Sequence, residues 1–99
     1  MVAGQLRRWG WRLSRRRWRT PWAEVDLVLR QKRHLLLVEV KCLPSLERLS
    51  TAVSSSQKRR LQRVVENLAE LDSVDQVECV LAVVLPSQSI HWFADFLGD

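Results

Sequence analysis

The apolar positions change period several times along the chain, and each change marks an element. Residues 24–30 alternate: Val25, Leu27 and Leu29 share one parity, while Glu24, Asp26, Val28 and Arg30 share the other. That is the pattern of a strand with one buried face. Residues 34–42 are nearly all apolar, as in a strand covered on both sides. "QKRH" joins the two strands; it has no Gly or Asn, so a tight type I′ turn is disfavoured and an irregular loop is expected. Residues 43–54, with Pro44 and scattered Ser, read as loop. From about Ser55 the period lengthens. Leu61, Val64, Val65, Leu68 and Leu71 form one stripe of an amphipathic helix, and Ser54 with Gln57 fits a capping box at its start. Residues 77–86, "VECVLAVVLP", read as another buried strand ended by Pro86, and "SIHWFADFL" as a last strand or short terminal element. At the other end, Trp9, Trp11 and Leu13 share one parity, which suits a strand or, before Gly10, a short helical turn; Thr20-Pro21 ends it. The order β-β-β-α-β-β predicts an α/β domain with a mixed sheet and one substantial helix.

The alternation also sets a register. A turn centred on Lys32-Arg33 pairs residues whose numbers sum to 65. Arg30 then faces Leu35, Val28 faces Leu37, Asp26 faces Glu39 and Glu24 faces Lys41. The charges gather on one face at one end of the hairpin. Val25, Leu27, Leu29, Leu36, Val38 and Val40 make the other face wholly apolar. A slip of one residue would drive the charges into that apolar side, so the register is strongly specified.

Composition narrows the reading further. Ninety-nine residues make one domain, and 46% hydrophobic content allows a real but small core. No apolar run reaches the length of about 20 residues that a membrane span needs. No signal-peptide core is visible either, so a cytoplasmic protein is expected. Cys42 and Cys79 follow no metal spacing, and their apolar neighbours predict buried free thiols. The net charge of +5 is uneven: residues 1–22 carry seven Arg and no acid, while residues 23–99 carry nine Lys/Arg against eleven Asp/Glu. Such asymmetry points to a polyanion, nucleic acid before anionic membrane. The clusters Arg15-Arg16-Arg17, with Arg19, and Lys58-Arg59-Arg60 are the candidate phosphate contacts. The second cluster stands in the first turns of the helix, the unfavourable end for cations. Trp9, Trp11, Trp18 and Trp22 read as core or interface packing before base-stacking platforms. A protein or membrane docking surface is the alternative use of that Trp/Arg segment. His34 and His91 are assigned no role.

The chemistry lies at the charged end of the hairpin. Asp26 and Glu39 would have Cβ atoms about 5 Å apart, close enough to repel. A divalent cation such as Mg²⁺ or Mn²⁺ relieves that repulsion, since Mg²⁺ sites use one or two carboxylates and keep several waters. Lys41 points the same way as Glu39, beside a water or a scissile phosphate. Metal, water and cation together suit phosphodiester hydrolysis. The bland alternative is a salt-bridged surface patch of little energetic worth.

An Asp on one strand followed by Glu-x-Lys ending the next resembles the PD-(D/E)XK core of restriction-endonuclease-like nucleases. More narrowly, "GWRLSRRRWRTPWAEVDLVL", "LLLVEVK", "SSSQKRRLQRVVENL" and "VLAVVLP" resemble the YraN-like family of predicted endonucleases over about residues 10–96. The resemblance implies a single PD-(D/E)XK nuclease-like domain over residues 1–99. It implies a restriction-endonuclease-like mixed β-sheet flanked by helix, with the N-terminal helix truncated. Asp26 and Glu39 would be metal ligands, Lys41 the catalytic lysine, Glu24 an accessory acid, and Gln57 or Lys58 a group reaching from the helix start. The implied activity is metal-dependent cleavage of DNA, including branched or nicked duplex; a non-catalytic nucleic-acid-binding module on the same fold is the alternative. The sequence departs from the family at several points: Ala23 replaces a Gly, Gln57-Lys58 reverses a Lys-Gln pair, Cys42-Leu43 replaces Thr-Arg, and Cys79 replaces an Asp. Only "VAGQLRRWG" corresponds to the family's longer, Glu-bearing first helix, which points to a partner or a homodimer covering that part of the sheet.

Overall fold

The computed structural model describes residues 1–98. Helix α1 (Val2–Arg8) leads into strand β1 (Arg12–Arg19), then β2 (Glu24–Gln31) and β3 (His34–Cys42). A short 3-10 helix (Leu46–Thr51) and helix α2 (Ser55–Leu68) follow, then β4 (Gln76–Val84) and β5 (Ile90–Phe93). The five strands lie in sequence order in one sheet. All neighbours are antiparallel except β3 and β4, which run parallel. A parallel pair needs a long crossover, and α2 supplies it.

The β2–β3 register is the one the alternation dictates: Val28 pairs with Leu37, Leu29 with Leu36 and Arg30 with Leu35. The turn is tighter than expected. Gln31 pairs directly with His34, leaving only Lys32 and Arg33 between the strands. Lys32 adopts φ +55 without being Gly or Asn. The turn is held from outside, because Arg33 O accepts from Asp75 N at 2.8 Å and Arg33 Nε lies 2.9 Å from Asp75 Oδ2. External anchoring of this kind sustains a left-handed residue that the local sequence disfavours.

Both faces of the sheet are covered. Val2, Ala3 and Leu6 of α1 pack on Leu27, Leu29, Leu36, Val38, Val80 and Ala82. Leu61 and Val64 of α2 pack on Val25, Val28, Leu37 and Cys79 on the opposite face. Beneath the 3-10 helix, Val53 joins Leu81 and Val83. Sequence periodicity located α2, but the helix stops at Leu68 and Leu71 is exposed. The N-terminal segment resolves into both alternatives in turn, a helix and then a strand. Gly10 joins them at φ +94, and its carbonyl accepts from Gln31 Nε2. That φ is one L side chains rarely adopt, so the position favours glycine.

One expectation fails in an informative way. Val25 and Val28 are three residues apart, yet both face α2. A regular pleat would put them on opposite sides. The disturbance comes from β1. A register shift separates Leu13 from Arg15, and Arg17, at φ +46, lies between the pairs Arg16–Leu27 and Trp18–Val25. A left-handed residue kinks its strand and adds local twist. Opposite this irregular stretch of β1, Val25 lies on the α2 face.

The thiols divide. Cys79 is buried, whereas Cys42, expected buried, is exposed at the end of β3; both are free. Trp18 and Trp22 pack around the α2 core and Trp11 around the α1 core. Trp9 is exposed and meets Trp92 at 5.6 Å between ring centroids.

Candidate active site

The β2–β3 ladder runs from the turn as far as Leu27–Val38 and stops. Beyond it the strands part, and side chains take over the bonding. Asp26 Oδ2 accepts from Val40 N at 2.7 Å, and Glu39 Oε1 accepts from Asp26 N at 3.4 Å. Each acid thus satisfies a main-chain N–H on the opposite strand. Without these contacts the splayed mouth would leave two partly buried donors short of a protein partner.

The two acids meet at this mouth but do not share one face as the even register implied. Asp26 borders a cleft of about 480 Å³ on the α1 side, together with Arg16, Arg17, Val2 and Val40. Glu39 faces α2, where Gln57 Nε2 donates to its Oε2 at 3.4 Å. Arg17, the left-handed residue of β1, stands opposite this part of β2 and lines the same cleft as Asp26.

Gln57 is held by the helix start. Ser54 Oγ accepts from Gln57 N at 3.1 Å, which is half of the predicted capping box. The Gln57 side chain does not reach back to the Ser54 N–H, as the other half would require. It reaches across to Glu39 instead.

Glu39 is the buried charged residue among the described residues, at 3% exposure. Burial raises its pKa from the ordinary 4.5 to about 7, with the negative charge of Asp26 adding to the rise. The Asp26 N–H and the Lys41 charge pull the other way. Lys41, half-buried two residues along β3, is thus close enough for its charge to act on Glu39.

The remaining predicted residues divide. Glu24 does not join Lys41; its Oε2 lies 3.6 Å from Arg19 Nε across the β1–β2 pair, an exposed contact worth little. The reason is again β1, which flanks β2 on the side away from Lys41 and offers its own cation. Arg15, Arg16, Arg17 and Arg19 are all exposed along β1, an edge strand, and Arg15 lies 5.9 Å from the Trp18 ring centroid. Arg59 and Arg60 are exposed on the first turns of α2, while Lys58 is half-buried. Cys79, at the position of a family acid, has its thiol pushed up to about 12 by burial first and the Glu39 charge second. It is a neutral packing group at physiological pH.

No cluster of three or more His, Cys, Asp or Glu occurs among the described residues. Two carboxylates are nevertheless enough for Mg²⁺, which completes its shell with water and substrate phosphate. Asp26 and Glu39 are the two carboxylates at the mouth that could serve as donors to such an ion. Both acids are pre-oriented by hydrogen bonds, and the buried, electrostatically stressed Glu39 gains most from a neighbouring cation.

A five-stranded mixed sheet between helices, with one parallel β-α-β crossover, is the architecture of a restriction-endonuclease-like domain. Residues 1–84 match Uncharacterised protein family UPF0102, and the chain belongs to that family, the YraN-like family. The UPF0102 protein of Parasynechococcus marenigrum is 37% identical over 92 residues, covering 88% of this chain and 69% of the relative. A Shewanella baltica relative is 31% identical over 80 residues, covering 78% of this chain and 73% of the relative. A Nitrobacter winogradskyi relative is 42% identical over 52 residues, but the match spans only 44% of its length. No helix among the described residues is long and apolar enough to cross a membrane.

Proposed function

We propose that this protein is a Mg²⁺- or Mn²⁺-dependent DNA endonuclease that hydrolyses phosphodiester bonds in branched or otherwise distorted DNA. The observation that carries the reading is the hydrogen-bonded set Asp26–Glu39–Gln57, built where the hairpin ladder ends, with Glu39 buried. A buried carboxylate near a second one is costly as pure structure. Asp26 and Glu39 would hold the metal, which when bound supplies positive charge at the scissile phosphate and a more acidic water. Gln57 fixes the Glu39 carboxylate. Lys41 stands beside Glu39 and offers charge to the phosphate as negative charge develops. Arg16 and Arg17 line the cleft beside Asp26, and with Arg15, Arg19, Lys58, Arg59 and Arg60 they would grip the DNA backbone through salt-dependent contacts.

A second reading, a non-catalytic nucleic-acid-binding module, draws on the diversion of Glu24 to Arg19, which leaves the mouth with two acids. Nicking of a branched substrate with Mn²⁺ separates the two. The nuclease reading expects cleavage that disappears in Glu39→Ala and Lys41→Ala. Cleavage that persists in both, in preparations free of contaminating nuclease, would sink it. Isothermal titration adds a second arm: absence of Mn²⁺ binding at millimolar concentration favours the binding module.

A further inference from the structure

On the α2 face, a cleft of about 500 Å³ opens beside the mouth of the hairpin. Its walls include Val53, Lys58, Leu81, Phe93, Asp95 and Phe96. Its place in the sheet ties it to Glu39. Leu81 is the register partner of Glu39 on β4, and Phe93 is the partner of Leu81 on β5. Phe93 therefore lies two strand spacings from Glu39, about 10 Å across the sheet. Lys58 follows Gln57 directly in α2 and lines the cleft, so the cation of the cleft wall adjoins the residue that binds Glu39. The cleft is largely apolar and aromatic, with one cation, Lys58, and one carboxylate, Asp95, in its walls.

We propose that this cleft takes the base of an unpaired nucleotide adjoining the phosphate held at Asp26 and Glu39. The inference rests on the nuclease reading and names its substrate class: DNA with a single-stranded segment at the cleavage position. An aromatic-lined slot accepts any base by stacking, while a neighbouring cation takes the phosphate that comes with it. A base in a duplex would first have to leave its stack to enter. Single strands, flaps and junction ends bring the base ready to bind. The 3-10 helix forms one rim through Leu49 and Ser50, so the opening can be altered without touching the core.

The test is fluorescence anisotropy in EDTA, at one fixed salt concentration, with a labelled single strand of about ten nucleotides and the blunt duplex of the same sequence. The wild-type chain is expected to bind the single strand more tightly. Ser50→Trp, at an exposed rim position, fills the cleft and should weaken single-strand binding about tenfold while leaving duplex binding unchanged. Phe93→Leu, which keeps an apolar group in the core, should weaken the single strand in the same selective way. Equal affinity for the two forms, or single-strand binding untouched by both substitutions, overturns the proposal. Metal-dependent cutting without single-strand preference would remove the base site and leave the nuclease reading standing. Single-strand preference lost in both variants, in a protein that never cuts, would do the reverse.

Discussion

Gln57 donates from its side-chain amide to Glu39 Oε2 at 3.4 Å, while its backbone N–H is bound by Ser54 Oγ at 3.1 Å. One residue thus serves helix and site through different atoms, and the two roles can be separated. Gln57→Ala removes the Glu39 contact but leaves the cap, because the cap uses main chain. It should lower Mn²⁺ affinity and any nicking rate about 10- to 100-fold, the usual cost of losing a group that orients a ligand. Its melting temperature should change little. Ser54→Ala should do the opposite, costing about 1 kcal/mol of stability with cleavage nearly intact. Calorimetry and a nicking assay on both variants check the separation; a large melting shift in Gln57→Ala would deny it.

Glu39 makes stability depend on pH. Its folded pKa, about 7, lies above the ordinary 4.5, so the folded protein holds the proton more tightly than the unfolded chain does. That contribution is fully present below about pH 4.5 and is lost as pH rises through 7. The loss is on the order of 3 kcal/mol. Glu39→Gln keeps the shape and removes the charge. In EDTA at pH 8 it should melt several degrees above wild type, and at pH 4.5 the two should coincide. Mg²⁺ should raise the wild-type melting temperature at pH 8 and leave Glu39→Gln unmoved. Identical melting of the two proteins in EDTA at pH 8 would refute the account.

Much of this was readable from residue pattern, and the failures share a cause. The β2–β3 register followed from alternation, and α2 with its Ser54 cap followed from a 3.6-residue stripe. The same register brings Asp26 and Glu39 together at the end of the hairpin. The alternation misjudged Val25, the face of Asp26 and the partner of Glu24, all of which depend on β1. Parity arguments assume an unbroken pleat. The break at Arg17 carries no Gly or Asn to announce it, because three consecutive arginines read as an ordinary exposed strand. The turn at Lys32 hid for the same reason: its support comes from Asp75, more than forty residues away in the chain. The side-chain crossing from Gln57 to Glu39 had no local signal either, since Ser-x-x-Gln reads as a capping box whichever way the amide points.

Arg17 offers a direct test of that kink. A non-glycine residue in the left-handed region costs roughly 1–2 kcal/mol, and Arg17 is exposed. Arg17→Gly should leave stability unchanged or raise it by up to about 1 kcal/mol, whereas Arg17→Ala, which keeps the strain, should bring no gain. If Arg17 grips a phosphate as proposed, both should weaken DNA binding and reduce the slope of log affinity against log salt by about one. Chemical denaturation and binding titrations at several salt concentrations measure the two effects. A marked loss of stability in Arg17→Gly would show that the arginine side chain, not the backbone, holds the kink.

The mouth of the hairpin can be dissected at Asp26, where structural and chemical roles coincide. Asp26→Ala leaves the Val40 N–H without its 2.7 Å partner and should cost about 1–3 kcal/mol. Asp26→Asn can still present a carbonyl oxygen to that N–H, so its stability should stay near wild type. Its charge is gone, however, and the Asp26 charge is the second cause of the raised Glu39 pKa. The Glu39 titration midpoint should therefore fall from about 7 towards the ordinary value, as followed by carboxyl carbon NMR. It should not fall all the way, because burial is the larger cause. If Asp26 and Glu39 hold the metal as proposed, Mn²⁺ affinity should drop in both variants, since each would remove one of two anionic ligands. An Asp26→Asn protein that keeps wild-type Mn²⁺ affinity would remove Asp26 from the metal site while leaving its hydrogen bond to Val40 as its whole purpose.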